Sequence, residues 1–274
     1  MTVPTRATPL LALREPPPPL VRKVAGVVTV VLVILTWAML TRGATPEARA
    51  ISPTVLPSPM EVVRSFPVLV TERNLVGGIA ASMQRVLLGF GLAAVIAVPL
   101  GILAGSYRLI DAAAQPISVF MRNVPVAALI PLTLQAFGVG ELQKVMFLFL
   151  ATAPFLFYET ARAIVQVDGR YVDTAQTLGA RPRQVMTKVL IALAAPSIYG
   201  ALRANFGLAF GYVMLAEVVD AGAGLGFLLL QSQRRGLPEH LLATLLVIGT
   251  LAWLIDQTFR FFQRGFFPYL TTRE

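Results

Sequence analysis

Four ionisable residues stand inside long apolar stretches of the sequence: Glu159, Arg203, Glu217 and Asp256. An ionisable side chain in a bilayer costs about 2.5 to 3.5 kcal/mol on insertion scales, so it normally faces a protein interior or an aqueous path. Arg203 and Glu159 would form a reasonable buried pair. Structural pairing and path lining remain alternatives for each residue. The candidates to line an aqueous path through the apolar layer are Arg122, Asn123, Glu159, Arg203 and Glu217.

Residue types that hydrolyse bonds or bind metals are scarce. The chain has no Cys and no Gly-Lys dipeptide, so it lacks thiolate sites and the phosphate-binding loop of ATPases. His240 stands alone beside Glu239, which favours a solvated side chain over a metal ligand. Ser232, His240 and Asp220 could be combined on paper, but no nucleophile elbow supports them. We therefore expect no catalytic residue, no metal site and no cofactor in this chain.

The composition indicates that much of the surface faces lipid. Of 274 residues, 56% are hydrophobic and 14% charged, whereas an ordinary soluble domain is about 25% charged. The mean hydropathy is +0.72. In such a chain the net charge of +9 indicates basic loops on one side of a membrane rather than a nucleic-acid partner.

A membrane-crossing helix needs about 20 apolar residues, and this length predicts an all-α membrane protein with about six transmembrane helices. The third is the least regular, since Pro125 and Pro131 interrupt it. The predicted spans are 24–41, 86–105, 117–137, 142–165, 189–219 and 241–262. A disordered cytoplasmic leader (1–23), an external segment (43–82), a core membrane domain (83–265) and a cytoplasmic tail (266–274) complete the predicted organisation.

The distribution of Lys and Arg favours cytoplasmic N- and C-termini, because positive charge concentrates inside. In the external segment, Ser58 and Glu61 form a capping-box pattern with Pro59 at the first helical position. This pattern predicts a short helix on the membrane surface, with Met60, Val63 and Val70 on its apolar side. A packed loop is the alternative.

Small residues recur along the fifth predicted span. The residues Gly200, Ala204, Gly207 and Gly211 are spaced 4, 3 and 4 apart, which places them on one helix face. Such a face lets another backbone approach closely. Close packing inside the subunit and packing across a dimer axis explain it equally well. Gly101 and Gly105 repeat the pattern more weakly in the second span.

The loop 168–188 contains a second pattern. If this loop forms a helix, one face of it contains Tyr171, Val172, Ala175 and Leu178. Gly179 follows at the position where a residue in the left-handed conformation commonly ends a helix. An apolar face in the cytoplasm has no lipid to cover it. We therefore expect this helix to insert into a groove on a partner protein.

The run from Asp173 to Ala180, followed by Val189 to Ala192, resembles the EAA loop of ABC importer permeases. Gly179 falls on the glycine of that pattern and Ala175 on its second alanine. Asp173, Thr174 and Ala192 depart from the usual Glu, Ala and Pro. The residues that the resemblance assigns to ATPase coupling are Tyr171, Asp173, Ala175, Leu178, Gly179, Ala180 and Arg181.

Further similar segments extend from about residue 52 to Phe227, and together they resemble the nitrate, sulfonate, taurine and bicarbonate-like branch. The resemblance implies the type I importer permease fold and a complex with a second permease copy, two ABC ATP-binding subunits, which carry ATP and Mg²⁺, and an external solute-binding protein. It also implies uptake of a small oxyanion such as nitrate, sulfonate or taurine. A permease for a vitamin precursor and an ATP-independent carrier or channel subunit are the alternatives.

Overall fold

The computed structural model describes residues 17–43, 45, 48–219 and 222–269. Helices account for all the regular secondary structure in these ranges. They are α1 (Pro19–Leu40), α2 (Pro59–Thr71), α3 (Leu75–Ser106), α4 (Arg108–Asn123), α5 (Leu129–Phe137), α6 (Glu141–Val165), α7 (Gly169–Thr177), α8 (Pro182–Gln184), α9 (Ile191–Val219), α10 (Leu225–Arg234) and α11 (Pro238–Phe266). A π-helical turn, Val185–Leu190, joins α8 to α9.

Five helical stretches are long and apolar enough to cross a membrane: α1, α3, α6, the combined α8 to α9 stretch and α11. Two helices begin earlier than the predicted spans that they contain. The first begins at Pro19, so residues 19–23 of the predicted disordered leader are helical, and residues 1–16 lie outside the described ranges. The helix that contains the second predicted span begins at Leu75, before Val86. It continues outward because the polar Ser82 and Arg85 find partners inside the protein.

Helices α3 and α6 form the centre of the bundle and run in the same direction. A Cβ added to Gly89 would lie 2.6 Å from the Cβ of Leu148, and one added to Gly105 would lie 2.7 Å from the Cβ of Ile164. Contact is close along the whole length because small residues on α3 let the two backbones approach. Parallel packing requires the intervening chain to return from one end of the bundle to the other.

That return is made by the third predicted span, which is a bent pair of helices that begins at Arg108 rather than at residue 117. Helix α4 ends at Asn123, Val124 is extended before Pro125, and the chain resumes at Val126 at an angle of 91°. The break follows from the sequence, because a residue before proline avoids helical dihedrals. Since α3 and α6 are parallel, the bent pair crosses the layer and is not a re-entrant loop.

The short helix α2 begins as predicted, after Ser58. The Ser58 hydroxyl accepts a hydrogen bond from the backbone N–H of Glu61 at 3.3 Å, and the Glu61 carboxylate accepts one from the N–H of Ser58 at 2.7 Å. Its buried residues are Val62, Ser65 and Leu69. The predicted apolar side, Met60, Val63 and Val70, is exposed and is therefore available to a membrane surface.

Candidate functional site

Helix α7 is a short helix with a defined start and end. The Asp168 carboxylate accepts from the backbone N–H of Arg170 at its N-terminus. At the other end the N–H of Ala180 donates to the carbonyl of Ala175 at 3.0 Å. Gly179 has a φ of +83°. The predicted left-handed glycine is confirmed, because this bond and this dihedral form a Schellman terminator.

Exposure divides the predicted apolar face of α7 into two parts. Val172 and Ala175 are half-buried against the rest of the chain. The side chains of Tyr171 and Leu178 are 56% and 82% exposed. Two large apolar side chains therefore project from this end of the bundle, which we call the α7 end. Asp173 and Arg181 are exposed beside them, and Ala180 is half-buried.

An ion pair beside the start of α7 fixes its first turn. The Arg170 side chain donates to the Asp168 carboxylate at 2.9 Å. This hydrogen bond lowers the pKa of Asp168 below its ordinary value, and the bond from the backbone N–H of Arg170 acts in the same direction. The Asp168 carboxylate is therefore charged at the N-terminus of α7, where a negative charge interacts favourably with the helix dipole.

Glu217 lies in a buried network at the opposite end of the bundle, which we call the α2 end. Its carboxylate is completely buried and accepts from Ser82 at 2.7 Å, from Arg85 at 2.7 Å and from the N–H of Gly226 at 2.8 Å. Arg85 also donates to Glu141 at 2.6 Å. The network joins α3, α6 and α9 to the start of α10. Ser82 and Arg85 were not predicted as Glu217 partners, although their i, i+3 spacing places them on one face.

The expected pair of Arg203 and Glu159 is wrong. Arg203 donates to Asp256 on α11 at 2.6 Å, and Glu159 accepts from Asn205 at 2.8 Å. The reason is helical geometry, since residues two apart point to different sides of a helix. Arg203 therefore faces α11, while Asn205 faces α6.

The remaining candidate cation, Arg122, stacks on an aromatic ring. Its guanidinium carbon lies 3.5 Å above the ring centroid of Tyr158 on α6. Asn123 is exposed, and its amide donates to the carbonyl of Val119 at 2.8 Å. Both residues lie at the break between α4 and α5.

Within the described ranges, the small-residue face of α9 contacts no other helix. A Cβ added to Gly200, Gly207 or Gly211 would meet no atom within 4 Å, and Ala204 is exposed. Packing inside the subunit is therefore the wrong explanation for this face. Among the described residues, glycines allow close contacts of α3 with α6 and of Gly226 on α10 with α9.

His240 is buried, with 8% of its surface exposed, so the expected solvated side chain is wrong. It lines a polar cavity with Glu61, Arg64 and Glu239 between α2 and α11. Among the described residues, no group of three His, Asp or Glu side chains could hold a metal ion. Asp220 lies outside the described ranges.

The chain matches the family described as binding-protein-dependent transport system inner membrane component over residues 97–270. The chain belongs to this family. A probable ABC transporter permease of Brucella melitensis is 32% identical over 203 residues, covering 74% of this chain and 82% of that protein. The taurine transport system permease TauC of Escherichia coli is 28% identical and covers 92% of each chain. Other relatives are named for aliphatic sulfonates, nitrate and bicarbonate, so this permease lies in that branch.

The fold of this permease is that of type I ABC importers. It superposes on a chain of the inward-facing MetNI methionine ABC transporter with a TM-score of 0.62 and 22% identity, covering 70% of this chain and 95% of that one. The protein is thus a multi-pass membrane permease subunit of an ABC importer. The residues that match the family, 97–270, include the loop that contains α7.

Proposed function

We propose that this permease takes a small oxyanion-bearing solute from an external binding protein and passes it to the cytoplasm, driven by ATP hydrolysis on separate subunits. The observation that carries the proposal is the α7 end, where Leu178 and Tyr171 project from a helix closed by Gly179. An exposed apolar pair at the α7 end of a membrane bundle is suited to a groove on another protein.

The proposed partner is an ABC ATP-binding subunit, two copies of which bind ATP and Mg²⁺. Asp173, Ala175, Ala180 and Arg181 would lie at this contact with Tyr171, Leu178 and Gly179. Closure of the ATP-binding subunits would displace α7 and shift the bundle between two openings, because ligand binding energy can drive such a shift only by favouring one state.

Copurification tests this contact. The permease is expressed together with a candidate ABC ATP-binding protein from the same organism and extracted in mild detergent. Leu178→Asp should abolish retention of the ATP-binding protein, because it places a charge in the apolar contact. Val55→Asp is the matched control, since Val55 is 76% exposed at the α2 end and should leave retention unchanged. Equal retention by both variants would contradict the proposed dock.

A second permease copy is proposed to cover the open face of α9. Gly207 and Ala204 leave room for a neighbouring backbone. Because the chain has no Cys, Ala204→Cys should form an oxidative cross-link between two copies, whereas Gly249→Cys on the exposed side of α11 should not. A cross-link at position 249 alone would contradict this interface.

Both termini are proposed to be cytoplasmic, with the α7 end inside and the α2 end outside in a bacterial inner membrane. Single Cys substitutions test this orientation. An impermeant maleimide should label Val55→Cys in intact cells and Leu178→Cys only after the membrane is opened. The reverse pattern would invert the orientation.

The proposed solute class rests on relatives that are named for taurine, sulfonates, nitrate and bicarbonate. Ligand binding by the proposed external solute-binding protein, once identified, would identify the individual solute. An uncharged or cationic solute, such as a vitamin precursor, would overturn the oxyanion proposal while leaving the ATP-driven mechanism intact.

A further inference from the structure

The polar cavity between α2 and α11 is lined by two opposite charges that do not pair. Its volume is about 420 Å³, and its lining includes Arg64, Glu239 and His240. Among the described residues, neither the Arg64 guanidinium nor the Glu239 carboxylate takes part in an ion pair. The cavity therefore presents one unpaired cation and one unpaired anion to its occupant.

The other polar side chains of this cavity are bonded within the protein, apart from His240. Glu61 is paired with Arg49 at 2.8 Å, and the Ser65 hydroxyl donates to the carbonyl of Val62 at 2.8 Å. His240 is only 8% exposed, and no hydrogen bond joins its imidazole to another described residue. Because a buried polar group normally has a partner, this imidazole indicates water or a ligand in the cavity.

An apolar groove of about 640 Å³ follows the polar cavity along α11. Glu239 lines the cavity, whereas Leu242 and Leu246, one and two turns further along the helix, line the groove. The opposite wall of the groove is one face of α1, over residues 29–40. The segment before α2 contributes to both spaces, through residues 53 and 56. A polar space and an apolar one thus lie end to end.

The walls of the groove present hydrocarbon. The hydroxyls of Thr29 and Thr36 donate to carbonyls of α1 itself, at 2.9 and 2.8 Å. Leu32 on α1 and Leu246 on α11 are 57% and 46% exposed. Since both helices are long and apolar enough to cross a membrane, the groove lies in the apolar layer, where lipid or another protein covers it.

The dimensions of the groove favour hydrocarbon chains over a helix. Its α1 wall, from Thr29 to Leu40, is about 16 Å long at 1.5 Å per residue, close to half of a ~30 Å apolar layer. The volume over this length corresponds to a cross-section of about 40 Å², half of the ~80 Å² of a helix about 10 Å wide. The groove therefore has the depth of one leaflet and is too narrow to admit a helix.

Trp37 marks the level at which the groove meets the membrane surface. Its indole N–H donates to the carbonyl of Pro57 at 2.8 Å, one turn before the end of α1. Tryptophan is typical of the membrane–water interface. The polar cavity begins one turn beyond Leu242 on α11, at the depth of lipid headgroups.

We propose that the two spaces hold one phospholipid of the leaflet at the α2 end, with a primary amine in its headgroup. The acyl chains fill the groove, the phosphate contacts Arg64 and the imidazole N–H of His240, and the ammonium contacts Glu239. Guanidinium and imidazole N–H groups are donors to phosphate oxygens, and an ammonium has three donors for a carboxylate. Phosphatidylethanolamine has this zwitterionic headgroup. The site does not depend on the proposed transport function.

The effect of added lipid on thermal stability tests the site. The full-length permease is purified in detergent, depleted of lipid and mixed with phosphatidylethanolamine, phosphatidylglycerol or phosphatidylcholine that carry the same acyl chains. Because a ligand that binds the folded state stabilises it, each midpoint reports binding. Phosphatidylethanolamine should act at concentrations about 3- to 10-fold lower than the other two, since only its amine offers N–H donors to Glu239. Equal responses to the three lipids would overturn the proposal.

Two variants locate the headgroup. Glu239→Gln should remove the preference for phosphatidylethanolamine over phosphatidylglycerol, and Arg64→Gln should weaken the response to all three phospholipids. Glu72→Gln and Arg235→Gln change exposed charges outside the cavity and should match the parent chain. A parent-like preference in the Glu239→Gln chain would contradict the assignment of the amine.

The apolar groove has its own matched pair of variants. Leu246→Trp should raise the half-maximal concentration of every lipid, because the indole occupies part of the groove. Leu245→Trp should not, since Leu245 is similarly exposed, at 44%, without lining the groove. Because the chain has no Cys, Leu246→Cys separates lipid from protein as the occupant. An oxidative cross-link between two copies at position 246 would show that a second copy covers the groove and would overturn the proposal.

Discussion

The carboxylate of Glu217 lies 2.7 Å from a guanidinium nitrogen of Arg85, and both side chains are almost completely withdrawn from solvent. The same carboxylate accepts the N–H of Gly226 at the start of α10, and Arg85 donates to the carbonyl of Ala223. One ion pair therefore fixes the turn between α9 and α10 onto α3. A residue that sequence patterns place among path-lining candidates is, in the fold, an internal support at the α2 end.

The first prediction concerns this ion pair. Glu217→Ala should destabilise the protein by about 3 to 5 kcal/mol, because it leaves the buried Ser82 hydroxyl and the Gly226 N–H without their acceptor and removes one of the two carboxylates that pair with Arg85. Thermal unfolding in detergent measures the loss. Glu72→Ala, at an exposed glutamate, should change the midpoint little. The double variant Arg85→Met/Glu217→Met should recover part of the loss, and a double variant worse than the sum of its singles would contradict the pairing.

The second prediction concerns contact between α3 and α6. A Cβ at position 101 would lie 2.7 Å from the carbonyl oxygen of Phe157. Gly101→Ala should therefore cost about 1 to 3 kcal/mol, as expected for overpacking, despite the higher helix propensity of alanine. Gly91→Ala on the same helix meets open space and should be neutral or stabilising. Thermal midpoints of the two variants in the same detergent give the comparison.

A third prediction concerns the terminator of α7. Gly179→Val should strain the backbone, because a φ of +83° costs a side chain with a Cβ about 1 to 2 kcal/mol, and more for a branched one. Solute uptake should fall while ATP hydrolysis by the partner continues, since α7 no longer transmits movement. Gly169→Val, in the first turn of the same helix, is the control. Normal uptake by Gly179→Val at normal membrane levels would refute the coupling role.

The fourth prediction is a pH dependence at α2. Arg49 donates two hydrogen bonds to Glu61, at 2.8 and 3.1 Å, and they lower the pKa of Glu61 to about 2 from an ordinary 4.5. A lowered carboxyl pKa stabilises the folded state above pH 4.5, and this contribution is lost as the pH falls from 4.5 towards 2. The stability difference between the parent and Glu61→Gln should shrink over that window.

The matched variant for this pH dependence is Arg49→Gln. It removes the donor that lowers the pKa, so its stability should fall less than that of the parent between pH 4.5 and 2. Melting curves in detergent at fixed ionic strength measure both. Because Glu61 is partly exposed, the effect should be modest, and a dependence that is identical in Arg49→Gln would assign it to other carboxylates.

Sequence patterns predict local features of this fold well. The cap at Ser58 and the left-handed Gly179 are both present, because each depends on a few neighbouring residues. The long apolar stretches also appear as helices, since a bilayer-length run has few other solutions. The resemblance to the family rests on local sequence patterns of this kind and requires no knowledge of tertiary contacts.

Partner choice could not be predicted in the same way. Arg203 takes Asp256 instead of Glu159 because the rotation of α9 decides which neighbour each side chain meets. Hydropathy alone did not predict that α3 begins before residue 86, for a related reason. The charge of Arg85 ends an apolar window in the sequence, whereas in the fold this charge is buried and paired with Glu217. Gly101 and Gly207 each begin a pair of glycines four residues apart, yet only tertiary structure shows that Gly101 lies against α6, whereas a Cβ at Gly207 would meet no atom of the described residues within 4 Å.

The parallel arrangement of α3 and α6 has a consequence for biogenesis. The first half of the bent crossing between them contains Arg108, Asp111, Gln115 and Arg122. These polar side chains make its insertion into lipid by itself unfavourable. Its interior contacts are with α3 and α6, and α6 is synthesised later. The bent crossing therefore reaches its final packing only after α6 has been inserted beside it.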